Sequence, residues 1–211
     1  MARMKPDFSF EDKFTGTVCG MDEVGRGPLA GPVVAAAVIL KRHDIPQDIQ
    51  NQINDSKILT PQKREFLYGQ IHTFAHVSIA QCTAEEIDDI NILQASLRAM
   101  QKAFTALPVR PDAALVDGNR APKLPCKTLA IIKGDSKSLS IAAASIVAKH
   151  HRDKLMSACA IEFPQYGWER NAGYGTAQHL KAIEIHGVTP LHRRSFSPVS
   201  NYLLKVSSAN S

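Results

Sequence analysis

The run Val33-Val34-Ala35-Ala36-Ala37-Val38-Ile39-Leu40 holds eight apolar residues without a polar break. A run of that length between turn residues predicts a fully buried strand. Shorter runs at Val18 to Met21, Val77 to Cys82, Ala113 to Val116 and Leu129 to Ile132 predict further strands. Between them the apolar period changes to that of a helix. Thr60-Pro61 supplies an N-cap and an N1 proline for a helix to about His72. Thr83-Ala84-Glu85-Glu86 is a capping-box pattern, opening a helical region in which Leu93, Leu97, Met100 and Phe104 face the core. Ser138 to Ala158 is rich in alanine and predicts a long, closely packed helix, which Phe163-Pro164 closes. Ala177 to His186 predicts another, with Gly187 as its stop. Lys41 to Leu59 reads as a loop, and the residues before Thr15 as a polar arm.

Strands interleaved with helices make this an α/β protein. Its 211 residues, 44% hydrophobic, suffice for one generous domain, and no repeat or low-complexity linker divides them. We therefore expect a single domain over 1–211, with a core at about 15–160, a helical C-terminal part at about 161–205 and a disordered tail at 206–211. The formal charge of +5 is unevenly spread: Arg120 to Lys154 holds eight Lys/Arg against two Asp, an excess above that of the whole chain. A basic surface beside an acidic site suits a polyanion. The four cysteines are scattered, without a metal or disulfide spacing, which reads as a reducing compartment. No signal-peptide core or membrane-length run occurs, so the expectation is a soluble, cytoplasmic protein with no membrane partner.

Candidate chemistry lies at strand ends. Asp22-Glu23, Asp117 and Asp135 each stand where a predicted strand gives way to a turn. One such aspartate alone reads as a turn former. Together, beside a basic region, they read as hard oxygen ligands for Mg²⁺ or Mn²⁺. Neighbouring strand residues point to opposite faces, so for Asp22 and Glu23 to share a site the chain must bend or bulge on its way into Gly25. Gly25-Arg26-Gly27 follows at once. It is either a tight turn between antiparallel strands or a place where backbone approaches a phosphate or sugar, and it matches no dinucleotide or phosphate-loop fingerprint. Tyr174, flanked by Gly173 and Gly175, offers a stacking platform or a turn residue packed on its own helix. Arg193-Arg194 reads equally as a phosphate clamp or a solvated surface. His72 and His76 have helical spacing but no third ligand, which argues against zinc. Cys19 reads as packing.

With these residues in view, the chain resembles the bacterial ribonuclease HII family of type 2 ribonucleases H. The likeness is carried by Gly20-Met21-Asp22-Glu23-Val24-Gly25-Arg26-Gly27-Pro28-Leu29-Ala30-Gly31-Pro32, Asn54-Asp55-Ser56-Lys57 and Ile90-Asn91-Ile92-Leu93-Gln94-Ala95. It continues in Leu115-Val116-Asp117-Gly118-Asn119, Lys133-Gly134-Asp135, Ala143-Ala144-Ser145-Ile146-Val147-Ala148-Lys149, Gly173-Tyr174-Gly175-Thr176 and His192-Arg193-Arg194-Ser195-Phe196. It implies an RNase H-like mixed β-sheet flanked by helices, with a helical C-terminal part. It further implies a monomeric endonuclease acting on RNA/DNA hybrids and on single ribonucleotides embedded in DNA, with two divalent ions, Mn²⁺ or Mg²⁺. Asp22, Glu23, Asp117 and Asp135 become metal-binding carboxylates, and Gly25, Arg26, Gly27 and Tyr174 the reader of the RNA-to-DNA junction. Lys149 and Arg193 become substrate contacts. Ile58, where a second lysine is expected, and His150, in place of an aliphatic residue, depart from the pattern. Three rivals stand beside it: a catalytically silent hybrid-binding protein, the sister enzyme ribonuclease HIII, and a nucleotide-binding oxidoreductase or NTPase, against which the missing fingerprints count.

Overall fold

A computed structural model describes residues 5–209 and places Val33–Leu40 as strand β2, buried along its whole length. Strand β1, Val18–Val24, runs antiparallel to it, in unbroken register from Gly20↔Val38 to Val24↔Val34. On its other side β1 pairs in parallel with β4, Ala113–Asp117, from Val18↔Ala113 to Met21↔Val116. Beyond it lies β5, Lys127–Ile131, parallel to β4. With β3, Ala75–Cys82, beside β2, the sheet reads β3-β2-β1-β4-β5. Because β1 and β4 are parallel and central, their C-terminal ends lie side by side. Asp22 and Asp117 each fall one residue past the Met21↔Val116 pair.

The helices follow their sequence signals. Besides the one-turn α1, Gln47–Gln50, the chain forms α2, Pro61–Phe74, capped by Thr60, whose side chain accepts from the Lys63 amide. Helix α3, Ala84–Thr105, opens on a reciprocal box: the Thr83 amide donates to Glu86 and the Glu86 amide to Thr83. It breaks once, at Asn91 (φ 64°), whose Oδ1 caps the second half by accepting from the amides of Leu93 and Gln94. Beyond that break its buried residues are Ala95, Ser96, Ala99 and Ala103 with Met100 and Phe104, while Leu93 and Leu97 stay half-buried. The small side chains, more than the expected leucines, make the closely packed stripe. Helix α4 is Leu139–Glu162, α5 Trp168–Asn171, α6 Ala177–His186 and α7 Val199–Ala209. Among the described residues, no helix is long and apolar enough to cross a membrane.

The chain divides into two compact units. The first comprises the residues up to Val24, Val34–Gln81 and Ser96–His150. Its core sets Val38 and Leu40 of β2 against Leu67 and Ile71 of α2 and Leu139, Ile146 and Val147 of α4. The second comprises Gly25–Val33, Cys82–Ala95 and the chain from His151. Its core gathers Leu29, Met156, Tyr166, Trp168, Ile183 and Val199. The second unit thus takes in two segments that come early in the chain. Linear patterning does not show such an association.

Two expectations are corrected. Residues 5–14 are not a polar arm. Glu11 is buried within a 3-10 turn at Glu11–Lys13, accepting from Ser138 Oγ (2.7 Å) and the Ser140 amide (2.9 Å), and Phe10 and Phe14 pack on Leu115, Ile131 and Ile141. Residues 1–4 of that arm lie outside the described residues. The expected tail from Val206 is helical to Ala209. Val199, Tyr202 and Leu203 recur at helical spacing and pack in the second core, which carries α7 onward; residues 210–211 lie outside the described residues.

Candidate functional site

Three of the strand-end carboxylates converge. Asp22 ends the central part of β1, Asp117 ends β4, and Asp135 sits in a 3-10 turn, Gly134–Ser136, that follows β5 and leads into α4. Each offers one oxygen, and the three oxygens lie within 4.8 Å of one another. Local contacts hold them there. The Glu23 amide donates to Asp22 Oδ1 (2.7 Å) and the Gly134 amide to Asp117 Oδ1 (2.6 Å). Gly20, two residues before Asp22, lets the start of α4 press directly on β1: a Cβ there would meet the backbone of Ser140 and Ile141 at 2.1–2.3 Å.

The electrostatics of this cluster call for a cation. Burial pushes the Asp22 carboxyl well above its ordinary value, and the charges of Glu23, Asp117 and Asp135 push it further. Burial likewise raises Asp135, with Asp117 and Asp55 adding to it and Lys57 opposing. Two like unit charges about 4 Å apart repel by about 4 kcal/mol at an effective dielectric near 20. One ammonium is at hand, Lys57 Nζ, 3.5 Å from Asp135. Burial pulls it down, but Asp135, Asp55, Asp22 and Asp117 together hold it above its usual value. A set of hard oxygen donors with this surplus of negative charge fits Mg²⁺ or Mn²⁺ and not a softer metal.

Glu23 is not among the three. The β1–β2 register is continuous through Asp22↔Ala36 and Glu23↔Ala35, so the bulge expected to swing Glu23 round does not form. Alternation along the strand keeps neighbouring side chains on opposite faces. Glu23 nevertheless lies near enough for its charge to raise Asp22.

The glycine turn belongs to the second unit, and it is held from within by two arginines. Arg193 is fully buried: Nε donates to the Gly31 carbonyl (3.0 Å), one terminal nitrogen to Arg26 (2.9 Å) and the other to Gly25 (2.5 Å). Arg152, also fully buried, donates to the carbonyls of Pro32 (2.9 Å), Ala172 (2.9 Å) and Ala30 (3.1 Å). Burial, then the charge of Arg152, brings Arg193 down to about 9. The expected phosphate contact by Arg193 is therefore corrected: its guanidinium is spent on carbonyls. Arg152 likewise leaves the basic surface it was counted in. Arg194, by contrast, is exposed, and its amide with that of Ser195 donates to Asp88. Gly25 has φ 91° and would drive a Cβ to 2.2 Å from Arg152 Nε, so only glycine fits. Arg26 and Gly27 are exposed, and a Cβ on Gly27 would lie 3.5 Å from the Tyr174 ring.

Tyr174 is 47% exposed, as a stacking platform requires. Its carbonyl accepts from the Thr176 amide (2.8 Å) and lies 2.9 Å from His179 Nδ1. A carbonyl only accepts, so Nδ1 carries the proton and Nε2 is the acceptor, receiving Trp168 Nε1–H (3.2 Å) and His192 Nε2–H (3.1 Å). His192 Nδ1 in turn accepts from the Thr189 amide (2.9 Å). Every ring nitrogen thus has a fixed role with both histidines neutral. This relay and the arginine pair were not foreseen, because a lone His or Arg in a sequence does not announce its burial.

The remaining candidates fall as follows. Lys149 is half-buried on α4 in the first unit. His72 lies on α2 and His76 on β3, so their helical spacing does not exist in the fold. Cys19 is fully buried, and burial raises its thiol, as a packing residue would have it. His150, which departs from the family pattern, packs against Tyr68 with ring centroids 4.3 Å apart and the rings tilted by 32°.

A five-stranded sheet of this order with carboxylates at the ends of its central parallel strands defines a ribonuclease H-like nuclease. Solved structures of that class share the fold: ribonuclease H2 from Pyrococcus horikoshii superposes with a TM-score of 0.76 over 90% of this chain and 99% of its own, at 24% identity. Bst-RNase HIII in complex with Mn²⁺ gives 0.65 over 91% of this chain and 70% of its own, at 20% identity. A sequence model of the family Ribonuclease HII matches residues 19–199. Ribonuclease HII of Paramagnetospirillum magneticum is 53% identical over 199 residues, 94% of this chain and 99% of its own, and that of Ruegeria pomeroyi 53% identical over 204 residues, 94% and 86%. The chain belongs to the ribonuclease HII family, and is with it an endonuclease of the ribonuclease H type, dependent on a divalent metal.

Proposed function

We propose that this chain cuts the RNA strand of RNA/DNA hybrids and nicks duplex DNA on the 5′ side of single embedded ribonucleotides, leaving 3′-hydroxyl and 5′-phosphate ends. The observation that carries the reading is the convergence of Asp22, Asp117 and Asp135, from three separate segments, within 4.8 Å. Two divalent ions, when bound, lower the pKa of the water that attacks phosphorus in line and neutralise charge on the departing 3′-oxygen. Asp22, Asp117 and Asp135 would hold them. Glu23 is our fourth carboxylate, adding charge beside Asp22 from the next position of the strand. Lys57, beside Asp135, limits the repulsion that these groups present to a phosphodiester.

Selection of a ribonucleotide falls to the turn. Only Val24 separates Glu23 from Gly25 in the chain, so the cutting and reading elements are joined within a few residues. A 2′-hydroxyl both donates and accepts, and backbone groups of a glycine turn complement it at short range. Tyr174, with an exposed ring, would stack on the sugar that follows. Four free thiols support a reducing, cytoplasmic location, and we take the working form to be a monomer. The test is a DNA duplex carrying one ribonucleotide, incubated with Mg²⁺ or Mn²⁺ and again with chelator, with the cut mapped to the nucleotide. Metal-dependent cleavage 5′ to the ribonucleotide is expected. Binding without cleavage in either metal would overturn the reading in favour of a silent hybrid-binding protein.

A further inference from the structure

We infer that Arg152 and Arg193 are positioning residues that fix the backbone direction of Gly25-Arg26-Gly27 and thereby set the selectivity for a ribonucleotide. The inference rests on the turn being the ribose reader and says what makes it one. A buried guanidinium normally needs a carboxylate to offset the cost of leaving water. Here the six hydrogen bonds of the two go to backbone carbonyls, those of Gly25, Arg26, Ala30, Gly31, Pro32 and Ala172. Five of these lie in residues 25–32, a segment with three glycines and two prolines. Such a segment has little secondary structure of its own to hold it, and the two side chains take that place.

The consequence follows from the peptide plane. In a trans peptide the carbonyl of one residue and the N–H of the next point in opposite directions. With the Gly25 and Arg26 carbonyls drawn onto Arg193, the N–H groups of Arg26 and Gly27 are turned away from it. These are the donors a 2′-hydroxyl or phosphate would meet. Loss of the fork frees both peptide planes to rotate, and a hydrogen-bonding site tolerates displacements of only about 0.5 Å. Positive charge alone does not replace it: an ammonium is a point donor and does not span three carbonyls as a planar guanidinium does.

The experiment compares wild type, Arg193→Lys and Arg193→Gln, all checked for folding by thermal melt, on three duplexes: one ribonucleotide in DNA, a uniform RNA/DNA hybrid, and plain DNA. On the uniform hybrid a displaced turn still finds a 2′-hydroxyl at a neighbouring position; on the single ribonucleotide it does not. We expect the ratio of kcat/KM, single to uniform, to fall ~10- to 100-fold in both variants, with affinity for plain DNA and its salt dependence unchanged. Restoration by Lys would mean that charge matters and not the fork, and would overturn the inference, as would an unchanged ratio in folded Gln. Should the variants fail to fold, wild type decides. The Arg193 Nε–H proton, read by NMR, should exchange slowly without nucleic acid and no slower when duplex is added. Fast exchange that becomes protected on binding would make Arg193 a phosphate contact and sink the proposal. If wild type fails to cut the single-ribonucleotide duplex at all, the proposed function fails, and the selectivity role falls with it.

Discussion

The Gly134 amide donates to Asp117 Oδ1 across 2.6 Å, so the carboxylate at the end of β4 is anchored by the turn that carries Asp135. An asparagine at 117 keeps an oxygen to accept that bond while losing its charge. Asp117→Asn should therefore fold normally and lose at least ~10³-fold in kcat, the several kcal/mol that metal-assisted charge stabilisation supplies. Asp22→Asn should do the same and melt higher than wild type in chelator, because burial and three like charges burden the native carboxylate. Single-turnover cleavage and a metal-free melt check both. Near-normal cleavage by either variant would remove that residue from the metal site.

Gly20 provides the second test. Ser140 and Ile141 backbone atoms stand 2.1–2.3 Å from where its Cβ would be, and backbone does not yield as a flexible side chain does. Gly20→Ala should destabilise by about 1–3 kcal/mol through overpacking. It should also lower kcat, since Asp22 and the turn before α4 are displaced together. A variant with wild-type melting would show that α4 is not seated on β1 as described.

What was legible in the chain was mostly local. The limits of β2 match its apolar run, Thr60, Thr83 and Gly187 mark helix ends, and Asp117 ends β4, because short-range chemistry fixes all of these; Asp22 and Glu23, expected at a strand end, lie within β1, which pairs on to Val24. The site failed to be legible where long-range geometry decides. Glu23 shares its motif with Asp22, yet its oxygens are not among the three that lie within 4.8 Å of one another, a difference between neighbours that no residue pattern shows. Arg152 and Arg193 read as surface charge, because five of the six carbonyls that satisfy them come from a segment more than a hundred residues away. Glu11 was hidden for the same reason: its partners, Ser138 and Ser140, belong to the start of α4.

The histidine relay makes stability depend on acid. Burial, with the neighbouring His179, brings His192 down to about 4 from an ordinary 6.5, and burial lowers His179 too. Between those values the unfolded chain binds a proton that the folded chain refuses, so stability falls as pH drops from about 6.5 towards 4 and is insensitive to this pair above it. The change is up to ~3 kcal/mol for His192 alone. In His192→Asn, whose side-chain oxygen still accepts from the Thr189 amide, the slope of melting temperature against pH should be shallower across that window. An equal slope in variant and wild type would assign the acid sensitivity elsewhere.

Lys149→Ala tests the remaining basic contact. If its ammonium meets phosphate, affinity should drop alike for duplexes of any sequence, and the slope of log affinity against log salt should fall by about one. Cleavage at saturating substrate should be spared. No change in slope would return Lys149 to its helix as a packing residue.

Junction reading is tested at Tyr174, whose ring is 47% exposed while its own carbonyl is tied to the Thr176 amide and to His179. The backbone bonds fix where the ring starts and leave its face open. If that face stacks on the deoxyribose after the ribonucleotide, Tyr174→Phe should keep most of the preference for a single embedded ribonucleotide, because the ring survives. Tyr174→Ala should lose ~1–3 kcal/mol of it, about 5- to 150-fold in relative rate. If the hydroxyl acts instead, by bonding a phosphate, Phe and Ala should be equally impaired. The measurement is the rate on a single-ribonucleotide duplex divided by that on a uniform hybrid, for wild type and both variants. Since none of the backbone bonds depends on the side chain, Ala should fold. An unchanged ratio in that variant would leave the junction to the glycine turn alone.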